Sequence, residues 1–357
     1  MRDIFESLVE VTRGHIIEAT HFGSVVVCNN RGEILFNLGD PELITYMRST
    51  AKPLQVLALI EDPASQAFQF SDEEIAIMCA SHSGADRHVA VLEVLQKKLG
   101  ISQNDLQCGM HLPFDRITSN QIIRGEAQNS SLRHNCSGKH SGMLALAGIL
   151  EASKENYLDP KSPTQQLILQ TCGEMFDYPA TQFEMGVDGC SAPVFAVPMR
   201  NAARAYALLC QPDPLCEQRA SACQRITHAM MIHPFLVAGA ERFDTALMEA
   251  LPGKVIAKTG AEGYFGVGVM PNAIYPHSPA MGIMVKISDG DPKDRARSIV
   301  LVNLLRHLGL ITQENNTLLT DYDNRSITNW RNIAVGEIRP SAQLRQALNS
   351  WKIGEST

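Results

Sequence analysis

Strand-like segments stand at both ends of this chain, and a long helical run stands between them. That order constrains the fold more than any single residue does. Residues 8–20 read as one or two short strands. Residues 24–28 and 33–36 are β-rich arms on either side of Asn29-Asn30-Arg31-Gly32, so they predict a hairpin. A helix opens at Ser49, runs to about Glu61 and stops near Pro63. Ser71-Asp72-Glu73-Glu74 is a capping-box pattern, which gives Glu73 and Glu74 a capping and helix-dipole role. That helix breaks at Ser81-His82-Ser83-Gly84, and another covers 86–99 with Gly100 as its stop. Residues 137–152 read as a buried helix, and 165–176, 200–210, 215–232 and 241–251 as further helices. Short strands return at 254–258, 264–270 and 282–287. A final amphipathic helix covers 292–308, and the tail after Gln313 is polar with weak signals. The expectation is an α/β fold: one antiparallel sheet closed by both chain ends, with the helices as an inserted lobe. Residues 1–357 are expected to form a single structural unit, with 1–48 and 245–357 as its sheet-containing region and 49–244 mainly helical.

Composition excludes several classes. The chain has 357 residues, enough for one large or two fused domains, with 45% apolar and 19% charged residues. A net charge of −7 gives no electrostatic case for nucleic acid or an anionic membrane. No apolar run approaches the ~18 residues a membrane span requires. Residues 1–10 carry three acidic groups and no long apolar core, so no secretory leader is expected. Nine cysteines without an export signal argue against a disulfide framework and for a cytoplasmic, reduced setting.

The chemistry starts at Arg48-Ser49-Thr50-Ala51-Lys52-Pro53. Residues three apart on a helix share a face, so Lys52 can reach Ser49 and take its proton. Pro53 suits a first helical turn, where N–H groups lack partners. A lone Ser-x-x-Lys also arises by chance as a surface pair. Two further pieces give it weight: Ser81-His82-Ser83 at a helix break, and Lys258-Thr259-Gly260 at the end of a late strand. In this order the three form the pattern of the penicillin-recognising serine hydrolases. Ser49 attacks a carbonyl, Lys52 takes its proton, Ser81 relays a proton or holds the leaving group, and Lys258 is a second cation that lowers the pKa of its neighbours. Backbone N–H groups near Ser49 and around Gly260 are candidates for the oxyanion. The second motif is Ser-His-Ser and not Ser-Asp-Asn, which weakens a true β-lactamase.

Cysteine placement is a separate signal. Asn135-Cys136-Ser137-Gly138-Lys139-His140 opens the buried helix, and Asp188-Gly189-Cys190 follows a predicted strand. Spacing alone leaves two readings open, a zinc site or two buried structural thiols. His82, His88 and His111 are candidate catalytic groups, although a lone histidine is more often structural, as expected of His228 and His233. Cys172, Cys210, Cys216 and Cys223 fall in helices as core or surface thiols. Glu241 and Arg242 are a candidate ion pair.

At these residues the chain resembles a known family, the rhizobial-type L-asparaginases, also called the asparaginase II family. The matching runs are Arg48-Ser-Thr-Ala-Lys-Pro53, Cys79-Ala-Ser-His-Ser83 with Asp86-Arg87-His88, Cys108-Gly109 with His111, and Asn135-Cys-Ser-Gly-Lys-His140 with Gly142-Met143. Asp188-Gly-Cys190, His233-Pro234 with Val237-Ala-Gly239, Ala257-Lys258, and Val285-Lys286 with Asp289-Gly290 complete them. They span roughly residues 10 to 290; the C-terminal tail resembles the family only loosely. The resemblance implies a fold similar to serine β-lactamases and to glutaminases of that type. It implies hydrolysis of L-asparagine to L-aspartate and ammonia by two Ser–Lys pairs, Ser49 with Lys52 and Ser81 with Lys258. It also implies a zinc ion on Cys136, Lys139 and Cys190, with water completing a tetrahedron and Asp188 close by, serving substrate orientation. Arg48, His140 and Asp188 are then substrate or supporting groups, and a homodimer is the implied assembly. Thr259 after Lys258, and the small Ser191 and Ala192 beside Cys190, bear on substrate preference. The rivals are a glutaminase or β-lactam-type serine hydrolase, separable by side-by-side assay, and a non-catalytic zinc or amino-acid binding protein, excluded by ammonia release.

Overall fold

A computed structural model describes residues 4–353; Met1–Asp3, where the leader reading begins, and the chain limits at 1 and 357 lie outside the described residues. The chain forms two compact units. One takes the described residues up to Thr45, Pro198–Gln211 and the residues from Ala246 onward; the other takes Tyr46–Val197 and Pro212–Thr245.

The strands are β1 (Glu6–Arg13), β2 (Ile16–Asn29), β3 (Ile34–Leu38), β4 (Ile44–Tyr46), β5 (Glu184–Val187), β6 (Pro193–Pro198), β7 (Val255–Thr259), β8 (Tyr264–Val269), β9 (Met281–Ile287), β10 (Arg325–Thr328) and β11 (Ala334–Pro340). The first unit is built on an eight-stranded sheet in the order β10-β11-β1-β2-β9-β8-β7, with β3 beside β2. Its pairs are antiparallel and join the two chain ends: Val9 faces Pro340, and Val25 faces both Leu38 and Val285. Val25, Val26 and Val27 are all fully buried, which a strand reaches only when both of its faces are covered. The helices Met199–Cys210 and Arg297–His307 supply that cover, both packing on β9.

The second unit is mainly helical. Every residue of the Lys52–Ile60 helix is buried, so this helix is its core element rather than an amphipathic surface one. Around it stand Asp72–Met78, Ser137–Ile149, Pro163–Phe176 and Glu217–Ile232. The Ser71 and Glu74 capping box forms as the sequence predicts. β5 and β6 form a hairpin closed by Val187 opposite Pro193. This antiparallel, mixed α/β architecture is the one expected.

Three local readings change. The tail carries β10, β11 and the helix Ala342–Ser350, because β11 pairs with β1 more than 300 positions away and no local pattern reports such a pairing. The last long helix starts at Arg297 and not 292, because the Asp291 carboxylate accepts the N–H groups of Arg295, Ala296 and Arg297 and so holds the preceding residues in a loop. No Glu241–Arg242 ion pair forms among the described residues; Arg242 instead lies over the Phe114 ring, 5.8 Å from its centroid.

Candidate active site

Ser49 sits in a 3₁₀ turn, Arg48–Ala51, that leads directly into the Lys52–Ile60 helix. Pro53 takes the first helical turn as predicted. The turn is pinned from both sides: Met47 N–H donates to Phe195 O, and Thr50 Oγ donates to Met47 O at 2.6 Å. Arg48 adopts φ +49°, a left-handed conformation costly for a side-chain-bearing residue, at about 1–3 kcal/mol. Its guanidinium compensates by gripping Asp188 Oδ1 through Nε at 3.0 Å and Nη2 at 2.9 Å.

Lys52 is 1% exposed, and its amine donates to Ala80 O at 2.6 Å, Ser81 Oγ at 2.9 Å and Asn135 O at 3.2 Å. The expected Ser81 is therefore brought onto Lys52, while no hydrogen bond joins Ser49 Oγ to that amine. Ser81 stands just past the Asp72–Met78 helix, with its N–H donating to Val237 O at 2.9 Å. Lys258 lies on β7 of the sheet unit, fully buried, with its Nζ donating to Thr259 O at 3.0 Å. The N–H of Gly260 is committed to Tyr264 O, so it belongs to the β7–β8 turn and not to an oxyanion site.

A second cluster lies at the start of the Ser137–Ile149 helix. Gly138 packs so closely on Ile77 that a Cβ would run into its carbonyl oxygen; this contact fixes Cys136 and Lys139 on either side. The turn after β5 brings Cys190 inward, held by Asp188 N–H to Ala192 O and Ser191 N–H to Asp188 O, both 2.9 Å. Lys139 Nζ donates to Cys190 Sγ at 3.1 Å, and the Cys136 and Cys190 thiols lie close to one another. The neighbouring Cys190 thiol draws the Cys136 thiol well below its ordinary pKa against the effect of burial, and Lys52 and Lys139 add to it; the Cys136 thiol and burial push Cys190 up. Burial pulls the Lys139 amine down, yet the Cys190 and Cys136 sulfurs outweigh it and hold the pKa above its usual range. Burial raises the Asp188 carboxyl, but the Lys139 and Arg48 charges win and hold it low.

His140 is fully buried, and its Nδ1 meets Tyr157 OH at 2.6 Å. The tyrosine hydroxyl accepts from Gln107 N–H, so it donates to Nδ1 and leaves the imidazole proton on Nε2. Nε2 has no hydrogen-bond partner; the Cys190 sulfur lies by it, beyond ordinary hydrogen-bond distance. Burial holds His140 at about 4, so it is neutral near pH 7. Tyr157 is the supporting residue that the sequence does not announce: it is one aromatic in a loop, with no pattern around it. His82 donates from Nε2 to Ser137 Oγ, which itself donates to Leu132 O. His88 donates to Phe235 O and stacks on His82, 5.0 Å between centroids. Both are structural. His111 Nε2 accepts the N–H of Asn135 and so supports the loop before Cys136.

The donor set fits a soft divalent cation only if Lys139 takes part. Among the described residues no three His, Cys, Asp or Glu converge as a metal site. Two sulfurs and one amine do converge, fully buried, beside an imidazole nitrogen without a partner.

Comparison with known proteins follows this geometry. Among solved structures the chain is similar to a Bacillus glutaminase crystallised in the presence of 4.3 M NaCl, at 13% identity, over 81% of this chain and 91% of that one, with a TM-score of 0.39. It is similar also to a probable glutaminase from Bacillus subtilis complexed with 6-diazo-5-oxo-L-norleucine, at 12% identity, over 81% of this chain and 84% of that one, with a TM-score of 0.38. No curated protein matches the chain. No helix among the described residues is long and apolar enough to cross a membrane. Residues 9–340 match the family model described as L-asparaginase II, and the chain belongs to that family.

Proposed function

We propose that this amidohydrolase converts L-asparagine to L-aspartate and ammonia through a serine acyl-enzyme. The observation that carries the reading is Lys52, a buried amine one helical turn from Ser49 and hydrogen-bonded to Ser81 Oγ at 2.9 Å. Ser49 Oγ adds to the side-chain amide carbon while Lys52 takes its proton. The carbon–nitrogen bond then breaks, and the departing nitrogen leaves as ammonia with a proton from the second pair, Ser81 and Lys258, which Lys52 replaces through Ser81 Oγ with the proton it took from Ser49. Water attacks the β-aspartyl ester, returns a proton to Ser49 and releases aspartate. Arg48, Asp188 and His140 are the substrate-facing groups: a guanidinium suits a carboxylate, and a carboxylate held ionised suits an ammonium.

Cys136, Lys139 and Cys190 would hold the zinc ion in this reading. When bound it supplies positive charge that orients substrate, since Ser49 already supplies the nucleophile. A serine β-lactamase-like fold, a homodimer and a cytoplasmic setting belong to the same reading.

Ammonia release by the purified protein, with and without added zinc, tests it. Release from L-asparagine well above that from L-glutamine is the expected result. Release mainly from glutamine would make the protein a glutaminase with the same Ser–Lys chemistry. Absence of release from either amide would overturn the amidase assignment.

A further inference from the structure

We infer that Arg297 is a positioning residue for Lys258, acting through the turn that ends β7; the inference rests on the proposed role of Lys258. Its Nη1 reaches three acceptors of that turn: Gly260 O at 2.8 Å, Thr259 Oγ at 3.3 Å and Tyr264 O at 3.4 Å. Thr259 is the common member. Its carbonyl accepts from the Lys258 amine, and its hydroxyl accepts from Arg297. Displacement of Thr259 therefore moves both the backbone that carries Lys258 and one acceptor of its head group.

The clamp is itself held rigidly. The Asp291 side chain is 0% exposed and accepts the Arg297 guanidinium through Nε at 3.3 Å. The same carboxylate accepts the N–H groups of Arg295, Ala296 and Arg297 at 2.9–3.0 Å. Asp294 meets the outer face of the guanidinium. The far end of the turn is locked separately. Gly263 lies at φ +71°, where a Cβ would stand 2.7 Å from Ile287 O, and its carbonyl accepts the Ile287 N–H at 2.9 Å. The turn is thus fixed at Gly263 by β9 and at Thr259 by Arg297. The loop that bears Asp291 is braced in turn: His21 Nδ1 meets Asp289 Oδ2 at 2.6 Å, and Arg295 Nε donates to His21 Nε2 at 2.9 Å. A guanidinium can hold a carboxylate with one nitrogen and carbonyls with another, which a lysine cannot.

Arg297→Gln and Arg297→Lys, each alone and with Lys258→Ala, test the inference by steady-state ammonia release from L-asparagine. Misplacement of a reacting group by about 1 Å costs on the order of 10²-fold. Arg297→Gln is expected to lower kcat by about 10- to 100-fold with KM changed less than about twofold, and Arg297→Lys to recover part of the loss. In the Lys258→Ala background the Gln substitution is expected to cost nothing more. An unchanged kcat, or losses that multiply across the two sites, would overturn it. Amide hydrogen exchange supplies a readout independent of turnover. Residues 258–264 should exchange faster in Arg297→Gln while β1 and β2 do not, and unchanged exchange would overturn the clamp. If the wild-type protein releases no ammonia, the proposed function falls and the exchange result alone decides the clamp. If Arg297→Gln does not fold, Thr259→Val removes the shared hydroxyl and is scored by the same measurements.

Discussion

Two lysines of the helical unit are buried alike and surrounded differently. Lys52 is 1% exposed and Lys139 3%. The Lys52 amine donates to oxygens, two carbonyls and the Ser81 hydroxyl, with the Cys136 sulfur also beside it. Lys139 meets sulfur, at 3.1 Å from Cys190 and near Cys136. Oxygen partners that include a hydroxyl give an amine a route for proton exchange. Sulfur partners give a cluster in which an amine and thiols can exchange their protons for one soft cation. Burial sets how strongly each amine depends on its partners, and the partner element decides what it is suited to do.

The largest expected effect comes from the nucleophile on the Lys52 side. Ser49→Ala should abolish turnover, by roughly 10³-fold or more in kcat, while thermal unfolding stays nearly unchanged because Ser49 is only half-buried. Retained ammonia release would break the link between Lys52 and nucleophile activation.

Replacement of the two lysines by methionine sharpens the contrast. Lys52→Met should cut kcat by about 10²- to 10⁴-fold. It should also destabilise the fold by about 1–3 kcal/mol, because Ala80 O and Ser81 Oγ lose a buried donor. Lys139→Met should abolish stoichiometric zinc, measured by metal analysis, and cost only about tenfold in activity, in line with losses at supporting metal-site groups. Equal losses of activity with zinc retained in both variants would erase the distinction between the two clusters.

A smaller effect is expected where the two clusters meet. Arg48 and Asp188 join the nucleophile turn to the Cys190 turn through contacts at 2.9 and 3.0 Å. Asp188→Asn should raise KM for asparagine by about tenfold, the weight of one charge-assisted hydrogen bond, with a lesser change in kcat. A change confined to kcat would show that the pair positions Ser49 and does not meet substrate.

The smallest effect separates the chemistry from its scaffold. Burial holds His88 at about 4 against its ordinary 6.5. Between those values the unfolded chain binds a proton that the folded one refuses, so stability falls as pH drops from 6.5 toward 4. His88→Gln should flatten that acid dependence of the thermal midpoint without altering the wild-type preference among amides. An unchanged slope would show that another group controls the acid limb.

Much of the site was legible because its residues are close in sequence or stand in dense motifs. Ser49 and Lys52 share one turn, and Cys136, Lys139 and His140 share another. The capping box at Ser71 and Glu74 formed as written, since capping is a local interaction. The misreadings have the opposite character. β11 depends on a partner strand at the other end of the chain. The late start of the Arg297 helix depends on a buried carboxylate six residues upstream. Tyr157 reaches His140 from a loop without pattern, and Ala80 and Asn135 contribute carbonyls that any residue type could supply.

The sequence by itself determined the residue types, most of the strands and helices up to about residue 308, and the family, because periodicity, caps and motif spacing are written within a few residues of one another. Only the tertiary structure decided who partners whom. Lys52 was read as the partner of Ser49, yet its amine rests on Ser81, because a side chain's nearest acceptor is set by how the Lys52 helix packs against the Ser81 break. Cys136 and Cys190 are 54 positions apart and come together only because the turn after β5 reaches the start of the Ser137–Ile149 helix. Interactions that local sequence cannot encode are those whose energy depends on two surfaces meeting, and here they are the contacts that give each buried lysine its chemistry.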